Sequence, residues 1–79
     1  MFAEYLQAAM SHAVYKQYSD GTYFGSIPDF QGVWANEETL EATQKELESV
    51  LEDWILFRIE EHLALPVVDG HSLARQARV

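Results

Sequence analysis

Between Thr39 and Leu63 the chain runs TLEATQKELESVLEDWILFRIEEHL without a proline or a glycine. That stretch constrains the fold more than any other, because it reads as one long helix. Leu40, Leu47, Val50, Leu51, Trp54, Ile55, Ile59 and Leu63 return at three- and four-residue steps and share a face. Glu41, Lys45, Glu48, Glu52 and Arg58 fall mostly on the other. At about 1.5 Å per residue the helix spans roughly 37 Å, more than a small domain needs. Its start has two candidate caps, Asn36 with Glu37 and Glu38 behind it, or Thr39 with Glu41. Its end is set by Leu65, which precedes Pro66 and so avoids helical backbone. Within the helix, Trp54 to Phe57 (WILF) is apolar all round, and a single sheet covers only one side of it.

The rest of the chain supplies what the helix lies on. Phe2, Tyr5, Leu6, Ala9 and Met10 follow helical spacing and predict a short amphipathic helix over residues 2–10. His12 to Tyr18 is rich in aromatic and β-branched residues and predicts a strand. Asp20-Gly21 then predicts a hairpin, with a type I′ turn, into a second strand from Tyr23 to Ile27. On that strand Tyr23, Gly25 and Ile27 share one face, and Gly25 marks a place where another element packs closely, the long helix being one candidate. Pro28 ends the strand, Asp29 to Gly32 form a loop, and Val33 to Ala35 form a short third strand. After the helix, Leu65 to Val68 reads as a short fourth strand of edge type, and residues 71–79 as a loosely held tail. The expected architecture is α+β in one domain over 1–79: N-terminal helix, three-stranded antiparallel sheet, long amphipathic helix, short fourth strand.

Composition removes several function classes. There is no cysteine, so no disulfide framework and no thiolate metal site. No apolar run reaches the roughly 20 residues that span a bilayer, and the N-terminus carries Glu4 where a signal peptide carries a base, so a cytoplasmic protein is expected. The net charge is −8, and residues 37–61 hold nine of the thirteen carboxylates against Lys45 and Arg58 alone. Such a surface repels nucleic acid and anionic membranes and attracts basic partners; the plainer reading is a solvated helix face. A 79-residue chain buries a modest core, which favours oligomerisation.

The segment DGTYFGSIPDFQGVWA followed by TLEATQKELESVLEDW resembles the HicB antitoxin family. The shared pattern is a hairpin with Asp-Gly, a strand ending in IP-x-x-x-G-x-x-A, and a Thr-Leu-Glu start to an acidic helix. Asp20, Gly21, Ile27, Pro28, Gly32, Val33, Ala35, Thr39, Leu40 and Glu41 match it, and the resemblance covers about residues 12–70. It implies a partial ribonuclease-H-like fold without that fold's catalytic set. The implied function is neutralisation of a small basic messenger-RNA-cleaving (HicA-like) toxin by steric masking. Many members add a C-terminal DNA-binding domain. The nine residues after Gly70 leave no room for one in this sequence, so direct DNA binding is not expected. The N-terminal helix is a further departure from the shortest members.

Each candidate site has an ordinary structural role to set against it. Asp20, Asp29 and Asp69 all neighbour turn signals, which argues against a two-metal nuclease cluster. His12, His62 and His71 lack metal-ligand spacing, Ser11-His12 lacks an orienting acid, and the four glycines are scattered at turns. No enzyme activity, cofactor or metal is expected. Tyr15, Tyr18, Tyr23 and Phe24 lack the flanking Lys and Arg of an RNA-stacking sheet. For contact with a partner the residues singled out are Asp29, Phe30 and Trp34, with the helix acids Glu41, Glu48 and Glu52. Trp54, Leu56 and Phe57 are the expected interface of a homodimer or higher homo-oligomer. The alternative function is a stand-alone homo-oligomeric structural or regulatory protein without a toxin.

Overall fold

A computed structural model describes residues 2–70. In chain order they form α1 (Phe2–Ser11), β1 (Val14–Gln17), β2 (Tyr23–Ser26), β3 (Trp34–Glu37) and α2 (Leu40–Glu60). The sheet is antiparallel in the order β1-β2-β3. Both helices lie on one face of it. The α+β architecture is the one the sequence predicts.

Register explains which face is covered. Tyr15, Gly25 and Ala35 stand side by side across the three strands on the helix side. Thr43, Leu47, Leu51 and Ile55, four residues apart on α2, are fully buried above them. From α1 come Tyr5, Leu6 and Ala9, and from the loops Ile27, Phe30 and Val33. A side chain on Gly25 has no room: an added Cβ would lie 2.8 Å from the Tyr15 ring and 3.2 Å from the Thr43 methyl. The close neighbour is therefore the directly opposed tyrosine as well as the long helix. Thr43 also ties α2 to the sheet, its hydroxyl bonding to the Tyr23 carbonyl (3.1 Å) and to its own helix at Thr39 O (2.8 Å).

Several boundaries differ from expectation for identifiable reasons. Between β1 and β2, Gly21 N donates to Tyr18 O and Tyr18 N to Thr22 O, and only Gly21 has positive φ. This is a three-residue loop with glycine in the left-handed position, not a type I′ turn. Asp20 accepts from the Thr22 N–H and hydroxyl, which holds its carboxyl below the usual value. The third strand is shifted to Trp34–Glu37, because Asn36 and Glu37 pair with Phe24 and Tyr23. Asn36 is thus a strand residue, and Thr39 is the cap of α2, accepting from Ala42 N at 3.0 Å.

The long helix stops at Glu60, well before Pro66. His62 takes φ of 59°, its N–H bonds to Ile59 O, and Leu63 N bonds to Arg58 O. Those two bonds form a Schellman stop with histidine where glycine is usual. Arg58 reinforces it through Nε to Ala64 O at 2.7 Å. The segment that follows is extended, but the fourth strand reduces to a single bridge at Val68. It is tied to α1 by Tyr5 Oη donating to Pro66 O (2.6 Å), and to the turn after α1 by His12 Nε2 against Asp69 Oδ1 (2.9 Å). The expected tail over 71–79 lies outside the described residues. The molecule is elongated, 47 × 22 × 17 Å.

Candidate functional site

Two turns fold the Ile27–Val33 loop and decide what it offers. Pro28 and Asp29, with φ of 72° at Asp29 and a Phe30 N to Ile27 O bond, make the first. Gly32, with φ of 92° and a Val33 N to Phe30 O bond, makes the second. The pair turns Phe30 inward, against the Tyr5 and Trp54 rings. Phe30 is 3% exposed, so the expectation that it contacts a partner is corrected: it is core. Its place in a loop does not announce this, because two successive turns set the direction of its side chain.

Trp34 points the other way. It stands on the open face of the sheet, 55% exposed, at the end of a row of rings. Tyr18 stacks on Phe24 (5.7 Å between centroids), and Phe24 on Trp34 (5.9 Å). Between Trp34 and the Asp29 turn lies an open groove of about 450 Å³, walled by Phe24, Ser26, Gln31 and Gly32. Asp29 and Trp34 are therefore brought together.

The helix acids form a separate surface. Glu41, Glu48 and Glu52 are exposed along one side of α2, with Lys45 between the first two. Glu41 and Glu48 wall a groove of about 580 Å³ beside β1, floored by Met10, Ala13 and Tyr15. Burial raises the Tyr15 hydroxyl pKa, partly opposed by a hydrogen bond with Gln44. Sheet and core separate this acidic face from Trp34, so the six expected partner contacts do not form one patch. The sequence reading missed Met10 and Tyr15, which line the groove together with α2.

The WILF segment divides three ways. Ile55 is buried, and Trp54 is half covered by Phe30 and by the Arg58 guanidinium, 4.7 Å above its ring. Leu56 and Phe57 are 54% and 56% exposed, and α1 does not reach them. Ile59 and Leu63, also exposed, follow them in the chain. Among the described residues no cluster of His, Asp and Glu can hold a metal, and no helix is long and apolar enough to cross a membrane.

Fold and surfaces define a small α+β domain with helices on one face of a three-stranded sheet and the other face open. The model of the UPF0150-like family matches residues 4–66, and the chain belongs to that family. Among solved structures it is similar to protein TTHA0281 from Thermus thermophilus. The two are 34% identical with a TM-score of 0.85, over 91% of this chain and 90% of that one. No curated protein matches the chain.

Proposed function

We propose that this chain is a HicB-like antitoxin, a non-enzymatic cytoplasmic protein that binds and masks a small basic messenger-RNA-cleaving toxin. UPF0150-like membership is compatible with such a role. The observation that carries the proposal is the exposed acidic side of α2: Glu41, Glu48 and Glu52, two of them walling the groove at β1, in a chain of net charge −8. A toxin that grips RNA presents a cationic surface, and an acidic helix face complements it. Masking needs no chemistry from the antitoxin, only coverage of the toxin's RNA-binding surface. The test is ribonuclease activity of a basic protein encoded beside this chain, assayed with and without a stoichiometric excess of it. Loss of cleavage together with a stable complex supports the proposal; full cleavage in the presence of excess chain overturns it.

One observation bears on self-association, which the second reading, a stand-alone homo-oligomer, requires. Leu56, Phe57, Ile59 and Leu63 lie exposed within eight residues of one end. We propose self-association through this end, which is compatible with either function.

A further inference from the structure

We infer that the groove between Trp34 and the Asp29 turn is a receptor for an arginine side chain of a partner polypeptide, its guanidinium flat on the indole and paired with the Asp29 carboxylate. The inference rests on the groove itself and holds whether or not the partner is a toxin.

Four features point to that occupant. Trp34 is supported on one face only, by Phe24, which Tyr18 supports in turn. No other ring among the described residues covers its second face. Asp29 is exposed at the tip of a turn whose backbone is fixed by the Phe30 N to Ile27 O bond. No hydrogen bond or ion pair among the described residues engages its carboxylate. No lysine, arginine or histidine lines this groove; Arg58 and His12 border neighbouring grooves that Asp29 shares, and each is engaged elsewhere, Arg58 with Ala64 O and His12 with Asp69. Finally, the molecule uses the stacking part of this arrangement internally, with Arg58 4.7 Å above Trp54.

The chemistry selects arginine over the alternatives. A guanidinium is planar, weakly hydrated and stacks on indole, while its forked N–H donors fit a carboxylate. A lysine ammonium keeps its water and offers no plane. A nucleic acid brings phosphates towards Asp29, with Lys16 the one described cation on the open sheet face. A second copy of the described fold brings no free guanidinium, since Arg58 is held by Trp54 and Ala64 O.

The experiment is a titration of the ¹⁵N-labelled full chain, followed by NMR, with a blocked pentapeptide Gly-Arg-Gly-Arg-Gly and its lysine counterpart. The two indole N–H signals are assigned with Trp34→Phe. The arginine peptide is expected to shift the Trp34 indole and the Gly32 amide saturably, leaving Trp54 unmoved, and to bind roughly fivefold tighter than the lysine peptide. Asp29→Asn is expected to weaken it several-fold, and Glu41→Gln/Glu48→Gln/Glu52→Gln to leave the Trp34 response intact. Equal response to both peptides, insensitivity to Asp29→Asn, or shifts confined to residues 41–52 overturns the inference; the last outcome leaves the antitoxin proposal standing. A larger Trp34 shift with oligouridylate than with peptide also overturns it, in favour of nucleic acid.

Discussion

Gly25 and Tyr15 show how single residues set this fold. They face each other across β1 and β2, and the tyrosine ring occupies the space a side chain on Gly25 would need. The ring then serves as cover for a strand that has none of its own, an aromatic laid over a cross-strand glycine. Gly25→Ala is therefore expected to destabilise the protein by about 1–3 kcal/mol, as overpacking does. Combining it with Tyr15→Val, which clears the space, is expected to cost less than the two changes added together. Urea denaturation of the four proteins checks this; strict additivity would mean that the contact is relieved in another way. Sequence alone marks Gly25 as a point of close approach, because a glycine inside a strand has few other uses. It does not reveal that the neighbour is Tyr15, since register is a tertiary property. The same limit applies at His62, where nothing in HLALP announces a left-handed stop for α2.

At the scale of elements, periodicity in α2 was legible and coverage was not. The apolar face from Leu40 to Ile59 is a property of the helix, whereas its burial ends at Ile55. The overhang leaves Leu56 and Phe57 in water, and α1, whose C-terminal half borders the groove with Glu41 and Glu48, leaves them exposed. Exposed apolar residues in one cluster favour association of copies. Leu56→Ser/Phe57→Ser is expected to shift the native mass at micromolar concentration to that of a single chain. The fold should persist, because neither side chain lies in the core. Sedimentation equilibrium of both proteins decides it. A wild-type chain that already sediments at its monomer mass would remove the overhang as a self-association surface. The loop between β2 and β3 was read with less success: Phe30 and Trp34 were expected together in a partner contact, and two turns put one inside and the other outside.

For the whole molecule, the charge read from composition is accurate and its placement decides its use. The acids Glu41, Glu48 and Glu52 are exposed, so they neither support the core nor compete with it. Exposed charges of this kind contribute little to stability. Glu48 and Glu52, one turn apart and alike in sign, repel slightly, while Glu41 beside the helix N-terminus and Lys45 is slightly favourable. The triple variant Glu41→Gln/Glu48→Gln/Glu52→Gln is thus expected to unfold within about 0.5 kcal/mol of the wild type. Association with a basic partner depends on the same charges differently. They act over a Debye length of about 10 Å at 0.1 M salt and steer encounter, so they raise the on-rate more than they slow dissociation. Stopped-flow mixing with the basic ribonuclease encoded beside the chain is expected to give roughly tenfold slower association for the triple variant at low salt. The two proteins should converge as salt rises. A variant that associates as fast as the wild type, at unchanged stability, would place the partner elsewhere, and the open sheet face around Trp34 would be the next surface to test.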